Sequence, residues 1–342
     1  MWGSRAVALA ALVVHVSVVH ARKIMARNFT SPALEEDALL VDEGGPPTLA
    51  GLTQRTIGTP DILQEAAALG GEGESQRVTL PALARTEALF WLHIPKCGSS
   101  FANAVLHTTS TCPNTPTDFT FDMTTMGYGV NETLRGYCPE LIFSSVGHFG
   151  SHDALGSIST KALGSVVTLL RDPEQRILSA FNDNYHDWVS STPPENELEF
   201  ATYNAGCQLR MLVRNDPAQR TFAPACRHTL PTDKEVALGQ KILRRDFSFV
   251  GITDQYDLSV CLFRFMFGGP CLPSMFSNVH KGASQSTTFV NTSATLYDTS
   301  VLQSFTDTAD RALYDRGVLI FDQLLLQYDV TEDACQACYA ST

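Results

Sequence analysis

Three groups of residues in this sequence have the types and spacing that chemistry needs. The first is Lys96-Cys97-Gly98-Ser99-Ser100-Phe101, set between the apolar run Ala88 to Ile94 and a stretch of helical composition. A helix N-terminus offers unpaired N–H groups and a positive dipole end, so it binds anions. Gly98 lets the backbone approach closely, Ser99 and Ser100 add hydroxyls, and Lys96 adds a cation. The pattern departs from GxxxxGK[ST], because the lysine precedes the glycine and the leading glycine is absent. The second group is Arg171 and Ser179, eight residues apart. Arg171 falls at the C-terminal end of an apolar strand, where open α/β sheets bind ligands. Arginine and serine together can hold a phosphate by charge-assisted hydrogen bonds, although an ion pair of Arg171 with Asp172 is the ordinary alternative. The third is His148, a group suited to proton transfer near neutral pH. His152 is the second choice for that role, and Glu140 and Asp153 are substitutes. His93 is read as packing the loop.

The surrounding elements follow from the apolar pattern. Ala88 to Ile94 reads as a buried strand and Ser99 to His107 as a helix. Residues 109 to 139 resemble an insertion, and Glu140 to Gly147 is a strand ending on His148. Gly164 to Leu170 is a strand running into Arg171-Asp172-Pro173 and a helix from Pro173 to about Trp188, with proline at its first position. Phe247 to Gly251 is a further strand, with Asp254 capping a helix to about Phe267. A last helix covers about Asp307 to Tyr328. Continuous apolar strands alternating with helices imply a central parallel sheet covered on both faces.

His93-Ile94-Pro95-Lys96-Cys97-Gly98-Ser99-Ser100-Phe101 resembles the 5′-phosphosulfate loop of membrane-bound carbohydrate sulfotransferases, the group that includes heparan sulfate 2-O-sulfotransferase. Cys97 replaces the usual threonine. Arg171-Asp172-Pro173, Arg176, Ser179 and Phe181 are similar to that family's 3′-phosphate motif. Gly147-His148 is similar to its element carrying the catalytic base. Weaker similarities lie at Asn204 with Gln208 to Leu212, at Phe249 to Thr253, and at Asp310 with Leu313-Tyr314. The resemblance implies an α/β, P-loop-containing nucleotide-binding fold. It implies PAPS (3′-phosphoadenosine 5′-phosphosulfate) as sulfuryl donor, with no metal required. It places Lys96 on the bridging and leaving oxygens, the loop to Phe101 around the 5′-phosphate, Arg171 and Ser179 on the 3′-phosphate, and His148 as base. Arg176 is a weaker candidate in this motif, with a structural role as its alternative. The acceptor is a glycan hydroxyl, for which Arg210, Arg214, Arg220 and Arg227 either line a groove for an acidic acceptor or are simply solvated. Lys281-Gly282 would belong to a closing loop.

Bulk properties set limits. The 342 residues are 44% hydrophobic, enough for one large α/β domain. A net charge of -12, which persists in the globular part, argues against nucleic acid as partner. Residues 1–23 read as a signal anchor or signal peptide, 24–86 as a flexible stem, and 87–342 as the catalytic domain. The uncharged stretch from 6 to 21 would span about 24 Å as a helix, short for a ~30 Å hydrocarbon core. A single-pass Golgi membrane protein with a lumenal domain and a protein secreted after cleavage both remain open. The sequence has nine cysteines, and eight could pair in an oxidising compartment. Cys207 with Cys226 and Cys261 with Cys271 are the local options, Cys335 and Cys338 a C-terminal staple, and Cys97 the odd one out. Sequons start at Asn28, Asn131 and Asn291. A P-loop kinase-like phosphotransferase is the rival enzyme reading, and a non-catalytic lumenal glycan-binding protein is the rival of another class.

Overall fold

A computed structural model describes residues 88–121, 128–143, 148–157, 164–188, 190–214, 229–276 and 296–340. The N-terminal segments 1–23 and 24–86, Arg220, Arg227, Lys281-Gly282 and the sequons at Asn28 and Asn291 lie outside them. Among the described residues no helix is long and apolar enough to cross a membrane.

The chain is α/β. Strands β1 (Phe90–Trp91), β2 (Val166–Leu170) and β3 (Phe247–Ile252) form a parallel sheet in the order β1-β2-β3. The first expected strand shrinks to two paired residues, with Leu89 bridging Leu141 in parallel. That bridge is what the described part of the expected Glu140 to Gly147 strand contributes. β2 is buried on both faces, which explains its unbroken Val-Val-Thr-Leu-Leu run.

Helix α1 (Phe101–Leu106) follows β1, and α2 (Tyr128–Tyr137) lies in the presumed insertion. α3 (Pro173–Asn182) follows β2, then α4 (Glu197–Asn204) and α5 (Cys207–Val213). α6 (Asp233–Asp246) leads into β3, and α7 (Tyr256–Phe267) leaves it. α8 (Pro273–Phe276), α9 (Thr308–Tyr328) and α10 (Glu332–Tyr339) complete the described elements.

The pleat shows which helices cover which face. Successive strand residues point to opposite sides. On one side Phe249 stacks on Phe101 of α1 and meets Phe263 of α7 edge-on. On the other side a side chain at Gly317 of α9 would strike Leu170, with Val250 beside it. Helices therefore pack on both faces. Burying Phe101 completely stabilises the fold by about 1.5–3 kcal/mol.

Disulfides join Cys112 to Cys138, Cys261 to Cys335, and Cys271 to Cys338. The local pair Cys261 with Cys271 is thereby overturned: Cys261 lies on α7, and both cysteines reach across to α10. The expected C-terminal staple is there, with its two cysteines on different partners rather than on a metal. Cys207 is also disulfide-bonded.

Candidate active site

The three strands end on one edge of the sheet, and the loop after each carries polar groups. After β1, Lys96 adopts a left-handed φ of 64° and Gly98 one of 84°. A lysine in that region costs about 1–2 kcal/mol, a strain of the kind found at ligand sites. Gly98 is required twice over, because a Cβ there would also meet Leu169 at 2.6 Å. The loop then winds into α1 through Phe101 N–H to Gly98 O and Asn103 N–H to Ser100 O. A six-residue helix is unstable alone. Arg264 of α7 holds its far end, donating to the carbonyls of Ala104 and His107 at 2.9 and 3.0 Å.

The two motifs of the sequence meet directly. Arg171 Nη1 donates to the Lys96 carbonyl at 3.2 Å. Gln208, on α5, ties the same two segments from the other side. Its Oε1 accepts from Arg171 N at 3.1 Å and from the Cys97 thiol at 3.4 Å, and its Nε2 donates to Arg171 O at 2.9 Å. Asp310 of α9 fixes Gln208 in turn, accepting from the N–H groups of Gln208 and Leu209 at 2.9 Å each. Gln208 and Asp310 were marked in the sequence only as weak similarities, and their role is to hold the two loops together.

Arg171 is buried, and burial lowers its pKa from the ordinary guanidinium value. Its Cζ stands 5.8 Å from the Tyr297 ring centroid. Ser179 is buried on α3, two turns beyond Arg171. Arg176 is fully buried and donates to the Asn204 carbonyl at 3.0 Å, the structural one of its two expected roles. The ordinary Arg171–Asp172 pair does not form, because Asp172 caps α3 through Gln175 N and pairs with Arg311.

Two loop residues serve the core rather than a ligand. Phe101 is packed among Trp91, Phe249 and Phe263. Cys97 is 2% exposed, and burial pushes its thiol up to about 12. Both side chains point into the core, and the loop offers its backbone there. Ser100 takes the N-cap position of α1.

Ser99 and Lys96 are both engaged. His93 Nδ1 lies 2.7 Å from the Gly150 carbonyl and must donate to it. In the neutral ring His93 Nε2 is then an acceptor, and the Ser99 hydroxyl donates to it at 3.0 Å. Lys96 Nζ pairs with Asp183 at 2.9 Å. Asp183 follows the end of α3, which stops at Asn182 and not at Trp188. Asn184, Tyr185 and Asp187 have positive φ, so the chain turns back. That turn brings His186 Nε2 to 3.4 Å from His152 Nδ1, and the His152 ring to 4.6 Å from His93. The sequence offered no glycine or proline to announce it.

His148 is half-buried, and its Nδ1 lies 2.6 Å from Asn131 Nδ2 of α2. Asn131 Oδ1 accepts from Phe149 N at 3.2 Å, which fixes the amide orientation. Nδ1 of His148 is then an acceptor, and the neutral ring carries its proton on Nε2. The amide nitrogen that a glycan would occupy at this sequon is the atom facing His148. The 148–152 segment reaches the loop through Gly150 and His93.

The arginine series does not line a groove in its described part. Arg210 is buried and donates to Thr229 O, and burial lowers its pKa to about 10. Arg214 pairs with Glu235 at 2.8 Å. Asp254 caps nothing; its Oδ2 accepts from Asp172 N and from the Tyr314 hydroxyl. Asp172, Gln175, Asp254, Arg311 and Tyr314 line a polar cavity of about 510 Å³ at this sheet edge.

No family model, curated protein or solved structure matches the chain.

Proposed function

We propose that this chain is a PAPS-dependent sulfotransferase acting on a hydroxyl of a carbohydrate acceptor, on a P-loop-type nucleotide-binding fold. The observation that carries the reading is the junction of the Lys96 loop with Arg171, two cationic groups brought to one sheet edge beside a polar cavity. The residues fit a nucleotide with a 5′-phosphosulfate and a 3′-phosphate. The loop backbone around the strained Lys96 and the Gly98 position, with the Lys96 ammonium, suits the 5′ end. Arg171, with Tyr297 near it, suits the 3′ end. Bound PAPS supplies the sulfuryl group.

Lys96 first leaves Asp183 and neutralises charge on the departing phosphate oxygen. His148 would take the proton of the acceptor hydroxyl as that oxygen bonds to sulfur, and the bond from sulfur to the bridging phosphate oxygen would break with its electron pair left on the phosphate. Taking it at Nε2 requires the ring proton on Nδ1, so the Asn131 amide would have to give up its bond from Phe149 N and turn its oxygen to His148. The disulfides support passage through an oxidising secretory compartment, with the Golgi lumen the proposed site of action. The test is incubation with radiolabelled PAPS and a panel of glycans, without added metal. Label moving to a glycan supports the reading. Transfer from ATP with magnesium, and none from PAPS, overturns it.

A further inference from the structure

We infer that His152, His186 and Asp187 form a three-ligand site for a divalent transition-metal ion of the zinc class. They are the one group of metal-ligating side chains of this kind among the described residues, with all three ligand atoms within 4.8 Å of one another. The individual spacings match an ion better than they match hydrogen bonds. His186 Nε2 is 3.4 Å from His152 Nδ1 and 3.6 Å from Asp187 Oδ1. Ligands bonded to one tetrahedral zinc at ordinary lengths stand about 3.3 Å apart. An N–H···N or N–H···O bond is usually nearer 2.7–3.2 Å.

The surroundings agree with that chemistry. Metal-bound histidines characteristically turn their second ring nitrogen to a carboxylate. A carboxylate, Asp183 Oδ2, stands on that side of His186 at 3.9 Å from Nδ1, beyond hydrogen-bond length as it stands. His93 packs edge-on against His152. The His186 side chain is 31% exposed and that of Asp187 8%, so solvent reaches one side of a largely enclosed centre. Two imidazoles and one carboxylate select zinc, cobalt, nickel or copper over magnesium or calcium. The fourth position is left to water or to a substrate oxygen. Asp183 also holds Lys96 at 2.9 Å, so an ion here fixes the turn that holds the loop lysine.

The inference does not depend on the proposed transfer reaction, because its probe is the metal alone. The full chain is stripped with a chelator and titrated calorimetrically with zinc chloride, and in parallel with cobalt(II) followed by visible absorption. One ion per chain is expected, with the intense cobalt bands of tetrahedral coordination. His186→Ala and Asp187→Asn should each weaken zinc binding by about tenfold or more, and His148→Ala should not. Zinc should also raise the melting temperature of the wild type but not of either ligand variant. Should one variant fail to fold, the other and the wild-type cobalt spectrum decide. The site is overturned by the absence of a stoichiometric ion in the wild type. It is equally overturned by an octahedral cobalt spectrum, or by unchanged zinc affinity in a folded ligand variant.

Discussion

The guanidinium of Arg171 donates to the backbone carbonyl of Lys96 at 3.2 Å, across 75 positions of sequence. The Lys96 loop and a buried cation are thereby parts of one structure. What each residue does next is open to measurement.

Asp183 occupies the ammonium of Lys96 that an incoming anion needs. The pair is partly exposed, so it is worth no more than about 1 kcal/mol. Asp183→Asn is expected to tighten binding of the product nucleotide, 3′-phosphoadenosine 5′-phosphate, by several-fold. Calorimetry reads this directly, and weaker binding would mean that Asp183 helps to orient Lys96 rather than compete for it.

Gln208 satisfies both backbone groups of Arg171 and accepts from the Cys97 thiol. Gln208→Leu strands those groups in the interior, at about 1–3 kcal/mol for each backbone group left unpaired. Thermal melting should show the loss, and nucleotide affinity should fall with it. A variant of wild-type stability would remove Gln208 from its place as the tie between the loops.

Asn131 holds His148 in the tautomer that donates from Nε2. A carboxylate in its place accepts from both Nδ1–H and Phe149 N–H, and so favours the base form. Asn131→Asp should keep or raise the turnover number by up to about fivefold, given a bond worth ~1 kcal/mol. It should also move the acid limb of the pH–rate profile upward, because an anion stabilises the protonated ring. His148→Ala should lose about 10²–10⁴ in turnover with nucleotide affinity retained. Equal losses in Asn131→Asp and His148→Ala would contradict the tautomer argument. Full turnover in His148→Ala would remove His148 as the base.

Cys97 is buried, and burial raises its thiol to about 12. The native chain should resist iodoacetamide at about pH 7–9, since the thiolate is the nucleophile. Unfolding without reductant should then expose this thiol. Because the folded pKa is raised, the associated stability is complete below the unfolded thiol pKa of about 8.5. It is lost as pH climbs from there toward 12, and Cys97→Ala should flatten that decline. Rapid alkylation of the folded protein would show the loop to be open.

The strand–loop–helix units were legible because apolar runs stop at Pro95 and Pro173, and parallel strands advertise themselves as unbroken apolar segments. The turn after α3 was not, since Asn184, Tyr185 and Asp187 take left-handed backbone without a glycine. That hid Asp183 and His186, and with them the partner of Lys96. The disulfides of Cys261 and Cys271 were misread because proximity in sequence says nothing of two helices meeting. Arg210 and Arg214 suggested a groove as a pattern of charge, yet one is buried and the other paired. Cys97 and Phe101 carried the motif in sequence, but loop curvature turns both side chains inward.

The most direct test of the account is calorimetric titration of 3′-phosphoadenosine 5′-phosphate into the wild type, Lys96→Ala, Arg171→Ala and the double variant. Adenosine 5′-phosphate serves as the comparison ligand. A charge-assisted contact is worth about 1.5–3 kcal/mol, so each single change should weaken binding by roughly 10–150-fold. Arg171→Ala should leave the affinity for adenosine 5′-phosphate nearly unaltered, since that ligand lacks the 3′-phosphate. Unchanged affinity for the bisphosphate in both single variants would contradict a nucleotide site at the junction of these two residues.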